Sequence, residues 1–416
     1  MIHYPTQLDK IFSKLQQHSI KPIIVGGFIR DTFLGLTSKD IDIELYNTDS
    51  LESIEKILIE FGKVNSVGKS FGVLKLTIDD LNLDFSLPRE DSKITKGHKG
   101  FVIKTKTSLT FKEAASRRDF TINAMGYDVI AKKILDPYNG KKDLQNKILR
   151  AVDLGKFAED PLRVLRAVSF SARFYLNIDD KLFQLCKDMF EKGLVTELPR
   201  ERIFEEMKKL LLKSKKPSHG LYLLKKISGF MFFNEFYTLN TQEYKDILDA
   251  IDRAVHITQN KSDKEKITIF LALLCHKFSI EKKYSFLEKL TNQKKLIENV
   301  IKFSTIDFDI EKQTNYTLYH LATQINISLY VLYLLSLYPT KKQEIKKLIT
   351  KAKELEIFYK KLDPLVKGKD LITLGLQPSK TFSKILKDLY EKQMQEEFKN
   401  KNEALKYLKE SLPIFT

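Results

Sequence analysis

The first third of the chain alternates short apolar runs with polar turns. A helical stretch at residues 51–61 separates these runs, and Asp79-Asp80 makes a turn typical of a hairpin. The predicted strands cover residues 23–25, 41–45, 73–78, 81–87 and 101–103. The pattern predicts a small mixed sheet with flanking helices.

Beyond about residue 145 the strand signals stop. Apolar residues then recur three and four positions apart, which places them on one face of a helix. The predicted helices cover residues 161–174, 203–212, 267–277, 318–338, 342–361 and 382–395. The expected fold class is therefore an α/β head followed by an elongated all-α region.

One polar segment interrupts the apolar pattern of the head. Residues 23–31 read I-I-V-G-G-F-I-R-D, and residues 40–42 read D-I-D. Asp40 and Asp42 project from the same side of a strand, where two carboxylates repel each other unless a cation such as Mg²⁺ lies between them. Gly26 and Gly27 let backbone N–H groups approach a phosphate without a Cβ in the way. Together they predict a site for a Mg²⁺–nucleoside triphosphate.

A second polar string, R-R-D-F-T-I-N-A-M, covers residues 117–125. Arg117 and Arg118 suit phosphate because a guanidinium donates to two oxygens at once. Asp119 can accept a hydrogen bond from a ribose 2′-OH. The alternative is a surface salt-bridge cluster with Asn123 as a cap.

A third string, E-D-P-L-R-V-L-R-A, covers residues 159–167. Asp160 and Arg163 are three apart at a predicted helix start, so they share one face. An acceptor beside a donor matches the pairing edges of cytosine and adenine, whereas uracil and guanine would leave both groups unpaired. The alternative is that Asp160 caps the helix, Pro161 is its first residue and Arg163 is solvated.

Composition and charge agree with a polyanionic partner. The net charge is +17 with a pI near 9.4, which favours nucleic acid over a membrane surface. Cys186 and Cys275 lie in apolar contexts and predict neither a disulfide framework nor a thiolate metal site. No signal pattern begins the chain, and the apolar run at 327–338 is too short to span a bilayer. We therefore expect a soluble cytoplasmic protein.

The three strings together resemble the class II tRNA nucleotidyltransferases and the bacterial poly(A) polymerases derived from them, within the DNA polymerase β-like superfamily. The resemblance implies that Asp40 and Asp42 are catalytic and hold two Mg²⁺ ions. It further implies that the other motif residues bind the nucleotide. These residues are Gly26, Gly27, Arg30, Arg117, Arg118, Asp119, Asn123, Asp160, Arg163 and Arg166.

The expected activity is template-independent addition of CCA to the 3′ end of tRNA from CTP and ATP. Poly(A) polymerase and partial CC-adding or A-adding activities share the motifs and remain alternatives. The expected segments are a catalytic nucleotidyltransferase head (1–145), a base-recognising neck (146–215), and a body (216–345) and tail (346–416) that bind the tRNA acceptor–T arm. No membrane or protein partner is inferred. Asp84 is a candidate third carboxylate, and the lysine-rich residues 93–112 resemble the family's flexible loop.

Overall fold

The computed structural model describes residues 2–65, 72–93, 101–105 and 109–411. The chain forms two compact units, Met1–Asn234 and Glu235–Thr416. The strands are Lys21–Val25 (β1), Asp40–Tyr46 (β2), Val64–Asn65 (β3), Val73–Ile78 (β4), Leu81–Ser86 (β5), Arg89–Lys93 (β6), Phe101–Thr105 (β7), Gly126–Asp128 (β8), Lys133–Leu135 (β9), Ile148–Leu149 (β10) and Asn177–Ile178 (β11).

The first unit contains a seven-stranded mixed sheet in the order β3-β4-β5-β2-β1-β8-β9. Strands β2 and β5 pair in parallel, and the other neighbours in this sheet are antiparallel. The helices of this unit are Gln7–Gln17 (α1), Gly27–Phe33 (α2), Leu51–Leu58 (α3), Phe111–Ala115 (α4), Gly140–Gln145 (α5), Leu154–Ala158 (α6), Leu162–Phe174 (α7), Asp180–Glu191 (α8), Arg200–Lys213 (α9) and Pro217–Lys226 (α10). The expected α/β head is thus confirmed.

Alternation along β2 separates the core from the polar face of the sheet. Ile41, Ile43 and Leu45 are buried in a cluster with apolar residues of α1 and α3. The intervening residues, which include Asp40 and Asp42, therefore project from the opposite face. The predicted hairpin at Asp79-Asp80 is confirmed, since β4 and β5 pair antiparallel across it.

The second unit is helical in its described part. Its helices are Thr241–Ile257 (α11), Asp263–Leu274 (α12), Ile280–Leu290 (α13), Lys294–Thr305 (α14), Asn315–Gln324 (α15), Ile327–Leu337 (α16), Lys342–Glu354 (α17), Gly368–Thr373 (α18), Lys380–Met394 (α19) and Lys401–Ser411 (α20). Within the residues that can be described, no one helix has the length and apolarity to cross a membrane. The consecutive helices α15 and α16 reach that length only together, across a 100° bend.

Two helix predictions were wrong in extent. The single helix expected at 318–338 is broken between α15 and α16, because Asn326 caps the second helix by accepting from Leu329 N. The helix expected at 342–361 ends at Glu354. There, Glu356 has φ 57°, and the Ile357 N–H donates to Ala352 O over 2.9 Å, which closes the helix end as a Schellman motif.

Three further expectations concern strands and boundaries. Strands continue beyond residue 145, because β10 and β11 pair in parallel. The predicted boundary at 345/346 falls inside α17, and the two units divide at 234/235, so the finer division into neck, body and tail stays a prediction. Of the lysine-rich residues 93–112, 94–100 and 106–108 lie outside the described residues.

Candidate active site

The Gly-Gly turn lies between β1 and α2, next to the polar face of β2. Gly26 has φ 73° and ψ −128°, a conformation that a residue with a Cβ rarely adopts. A Cβ on Gly26 would lie 2.6 Å from Arg118 Nη1 and 3.6 Å from Asp42 Oδ2. A Cβ on Gly27 would meet only Arg30, at 3.5 Å. The structure therefore requires glycine at position 26, where the first two motifs meet.

The two aspartates of β2 lie on the polar face as the alternation predicts. Asp40 Oδ1 accepts a hydrogen bond from Asn82 Nδ2 over 3.0 Å. Asp42 lies in register with Val25 on one side and with Asp84 on the other. Asp84 is therefore next to Asp42, but its Oδ2 is ion-paired with Lys75 Nζ at 2.7 Å.

The electrostatics of Asp42 fit a divalent cation. Although the residue is accessible, the surrounding protein removes enough water to raise the pKa of its carboxyl group. Arg118 opposes this rise, while Asp84, Glu44 and Asp40 add to it through repulsion. Carboxylate oxygens are ligands that Mg²⁺ prefers. Along the described ranges, no group of three or more His, Cys, Asp or Glu is arranged to hold a metal, so further ligands would come from water or phosphate oxygens.

Arg117 and Arg118 share a buried carboxylate that the sequence reasoning missed. Glu44, 1% exposed, follows Asp42 on the same face of β2. Its Oε1 accepts from Arg117 Nη2 at 3.0 Å and from Arg118 Nη2 at 3.1 Å, and Tyr46 OH donates to its Oε2 at 3.0 Å. Burial would raise the pKa of Glu44, but Arg118 and Arg117 hold it below its usual value. The period of two that connects Asp40 to Asp42 is the signal that could have identified Glu44.

Asp119 lies in the centre of a buried network. Its Oδ1 accepts from Phe120 N at 2.8 Å and from Asn123 Nδ2 at 2.9 Å. Its Oδ2 accepts from Arg166 Nε at 2.7 Å and from Arg166 Nη2 at 2.5 Å. All of its acceptor positions are thus engaged by protein groups. The arrangement favours a positioning role through Arg166 over the predicted contact with a ribose hydroxyl, which stays a prediction.

Arg30 extends the same network into the first motif. It is 5% exposed, and its Nη1 donates to Asn123 Oδ1 over 2.6 Å. Its Nε and Nη2 donate to Asp31 Oδ1, and its guanidinium lies 4.4 Å from the centre of the Phe174 ring. Arg30 therefore connects α2 to the second motif and to α7. These contacts use the guanidinium that the resemblance implies binds the nucleotide, a role that stays a prediction.

Asp160 and Arg163 lie at the start of α7, but they make separate contacts. Asp160 precedes the helix, and its Oδ1 accepts from Leu162 N at 3.1 Å. Its Oδ2 lies 3.4 Å from Arg202 Nη2. Arg163 donates from Nη1 to Lys156 O and from Nη2 to Arg117 O, at 2.9 and 2.8 Å. Asp160 thus accepts from the first N–H of α7, but the helix begins at Leu162 with Pro161 as its N-cap, and Arg163 is not simply solvated, so the alternative interpretation is met only in part.

Comparison with known proteins adds three family matches along the chain. Residues 23–150 match the poly A polymerase head domain, and residues 259–408 match a tRNA nucleotidyltransferase domain 2. Residues 176–231 match a family described as a "probable RNA and SrmB-binding site of polymerase A". The first match covers the first two polar strings of the candidate site, whereas Asp160, Arg163 and Arg166 lie beyond it.

The curated relatives share the sequence over part of their length. A "Multifunctional CCA protein" of Haemophilus ducreyi is 31% identical over 268 residues, which are 61% of this chain and 62% of that protein. The protein of the same name in Nitrosomonas europaea is 37% identical over 201 residues, 48% of this chain and 46% of the relative. The chain thus aligns with less than two thirds of the length of these relatives.

Solved structures resemble the fold at lower identity. "The structure of CCA-adding enzyme apo form II" has a TM-score of 0.74 and 20% identity, and covers 99% of this chain and 97% of that one. A tRNA nucleotidyltransferase complexed with a primer tRNA and an incoming ATP analog has a TM-score of 0.67 and 23% identity, with 83% and 99% covered. Over the matched residues the chain is therefore similar to the poly A polymerase head domain, to a tRNA nucleotidyltransferase domain 2 and to proteins named Multifunctional CCA protein.

Proposed function

We propose that this protein adds CCA to the 3′ end of tRNA, with CTP and ATP as substrates. The observation that carries the proposal is the convergence over the Gly26 turn. Arg118 Nη1 and Asp42 Oδ2 lie 2.6 and 3.6 Å from the position of one absent Cβ. A cation-binding carboxylate and a phosphate-binding guanidinium thus face the same space beside a backbone turn. This combination suits a nucleoside triphosphate.

Asp40 and Asp42 would hold two Mg²⁺ ions in this proposal. When bound, such ions stabilise the attacking and the leaving oxygens of an in-line displacement. The aspartates provide the anionic face, and Gly26 keeps the approach to the backbone open. Arg118, and Arg117 beside it, would bind the triphosphate. The surrounding residues Arg30, Asp119, Asn123 and Arg166 would hold this arrangement in place.

The choice of C and then A is assigned to Asp160 and Arg163. Both lie at the start of α7. This helix start is next to the second motif, since Arg163 donates a hydrogen bond to the carbonyl oxygen of Arg117. The Asp160 carboxylate can accept from the exocyclic amine of cytosine or adenine, while the Arg163 guanidinium donates to the neighbouring ring nitrogen. Each would exchange a contact with Leu162 N or with Lys156 O for the base. The lysines of residues 93–112 remain candidates for contacts with RNA phosphates.

The helical remainder would bind the acceptor–T arm of tRNA through its phosphates and shape. The net charge of +17 supports this, as does the similarity to relatives named Multifunctional CCA protein. The segments 146–215, 216–345 and 346–416 keep their proposed roles of neck, body and tail. A cytoplasmic location belongs to the same proposal, because its two cysteines are free and buried, which agrees with a reducing compartment.

The test uses tRNA without CCA and tRNA ending in CC, each incubated with Mg²⁺ and a single nucleotide: CTP, ATP, UTP or GTP. We expect CTP addition to the first substrate and ATP addition to the second. Addition of C alone would restrict the activity to CC addition, and addition of A alone to A addition. Repeated addition of A to an unrelated RNA 3′ end would instead identify a poly(A) polymerase. Failure to add any nucleotide would refute the proposal.

A further inference from the structure

Glu44 is the one buried carboxylate described on the polar face of β2, opposite the face that packs into the apolar core. Its side chain is 1% exposed, whereas Asp40 and Asp42 on the same face are accessible. One of its oxygens accepts from both Arg117 and Arg118. A buried carboxylate with two arginines is stable only while all three groups stay together. Glu44 therefore fixes both guanidinium groups of the second motif against β2.

The position of Arg118 makes this restraint important for the site. Arg118 Nη1 and Asp42 Oδ2 lie 2.6 and 3.6 Å from one common point, so these two atoms are at most about 6.2 Å apart. A small side-chain rotation would bring them into an ion pair. Such a pair would occupy the carboxylate that is proposed to hold Mg²⁺ and the guanidinium that is proposed to hold phosphate. The hydrogen bond from Arg118 to Glu44 competes with formation of this Arg118–Asp42 ion pair.

We propose that Glu44 is a positioning residue, which holds Arg117 and Arg118 ready for the triphosphate and keeps Arg118 from pairing with Asp42. The inference rests on the proposed function, because it assumes that the site takes a nucleoside triphosphate. Tyr46 supports the other oxygen of Glu44 at 3.0 Å and so fixes the direction of the carboxylate. Glu44 would touch neither the nucleotide nor the metal.

Removal of the negative charge of Glu44 distinguishes a positioning role from a purely electrostatic effect on nucleotide binding, because the two change the affinity in opposite directions. In Glu44→Gln the cleft loses one negative charge, so electrostatics alone would make it bind a triphosphate more tightly. Loss of positioning acts in the opposite direction, since both arginines leave their places. We expect the dissociation constant for CTP to rise by about tenfold, the size of one lost charge-assisted hydrogen bond. The constant for Mn²⁺, used as the metal probe, should rise as well, because Arg118 then neutralises Asp42.

The experiment is isothermal titration of the full chain, without RNA, with CTP in Mg²⁺ and separately with Mn²⁺ alone. The matched control is Glu235→Gln. Glu235 is also buried, at 2% exposed, and is ion-paired with Lys289 at 2.7 Å, but it belongs to the second unit. This variant should bind CTP as the unaltered protein does. Equal weakening in both variants would mean general destabilisation, and would overturn the inference.

Three outcomes are decisive. Weaker CTP and Mn²⁺ binding in Glu44→Gln alone supports the positioning role. Unchanged or tighter CTP binding in a folded Glu44→Gln overturns it while the proposed function stands, whereas absence of CTP binding by the unaltered protein overturns the proposed function itself. If Glu44→Gln does not fold, Glu44→Asp takes its place. That variant keeps the charge but is one methylene shorter, and unaltered CTP affinity in it would overturn the inference.

Discussion

Replacement of Gly26 by alanine should damage the first unit, whereas the same replacement at Gly27 should not. At Gly26 the backbone has φ 73° and ψ −128°, and a new Cβ would lie 2.6 Å from Arg118 Nη1. At Gly27, the first residue of α2, the contact with Arg30 at 3.5 Å is ordinary van der Waals contact. The two positions are adjacent, so each variant is the matched control of the other.

The size of the effect follows from two contributions. A residue with a Cβ in this part of backbone space costs about 1–3 kcal/mol. Displacement of Arg118 weakens a charged hydrogen bond to Glu44, worth about 1.5–3 kcal/mol if lost outright. Since Arg118 can shift rather than leave, we expect Gly26→Ala to lower the free energy of unfolding by about 2–4 kcal/mol. For Gly27→Ala the change should lie between zero and a gain of about 1 kcal/mol, because alanine is favoured over glycine inside a helix.

Calorimetry is the suitable assay, because the chain has no tryptophan to report on unfolding by fluorescence. About 2–4 °C per kcal/mol for a unit of this size gives a fall in Tm of about 4–16 °C for Gly26→Ala. Binding of CTP should weaken in the same variant, since Arg118 is displaced. Equal Tm values for the two variants would show that neither the positive φ of residue 26 nor the displacement of Arg118 destabilises the protein. Loss of CTP binding in a stable Gly27→Ala would show that phosphate approaches the backbone at Gly27.

Three further predictions concern the other parts of the site. Asp42→Ala should abolish nucleotide addition and leave tRNA affinity nearly intact in a filter-binding assay; loss of tRNA binding would mean that the carboxylate is structural. Arg30→Lys should lower the free energy of unfolding by about 2–3 kcal/mol in a urea titration, because lysine cannot reproduce the forked contacts of a buried guanidinium; unchanged stability would contradict the buried network. Asp119→Asn should cost about 3 kcal/mol at neutral pH. Burial raises the pKa of Asp119, but Arg166 and Asn123 outweigh it and hold the value below the ordinary one. Its stabilisation is therefore complete above about pH 4 and is lost as the pH falls through the lowered pKa, so the difference from Asp119→Asn should shrink in urea titrations at acid pH.

The sheet could be predicted because its strands carry strong local signals. Strand β4 coincides with the predicted run at 73–78, and β2 extends the run at 41–45 by one residue at each end. Strands β8 and β9 were missed, since each has three residues and too short a pattern to show alternation. The broken helix at α15–α16 was missed for a different reason. The residues between them, Ile325 and Asn326, do not interrupt an apolar periodicity, and only the capping hydrogen bond stops it.

The membership of the site could be predicted better than the contacts of its residues. Asp42 and Arg118 both lie beside the Gly26 turn, because a short strand and a tight turn leave few alternative positions, and the roles expected of the site residues stay predictions. The partners of Arg30 could not be predicted. Its contact with Asn123 spans 93 positions of the chain, and its aromatic neighbour Phe174 belongs to a helix of another motif. Contacts of this kind depend on tertiary packing, for which periodicity carries no information.

The buried network also changes how the polar residues of the motifs should be interpreted. A charged side chain that is buried must be paired, whether or not it touches a ligand. Arg30 and Asp119 satisfy this requirement within the protein, which is why their presence in a motif does not by itself indicate contact with a nucleotide. Asp42 differs, because repulsion from neighbouring carboxylates adds to its raised pKa, and Arg118 differs because its Nη1 lies over the open Gly26 turn. A carboxylate that its neighbours repel is one on which a bound cation can gain free energy. A guanidinium that is ion-paired through one nitrogen can still donate to a phosphate through the other, as Arg118 can through Nη1. In the proposed function the triphosphate and its metal would therefore bind between Asp42 and Arg118, while Arg30, Asp119 and Arg166 would keep their surroundings in place.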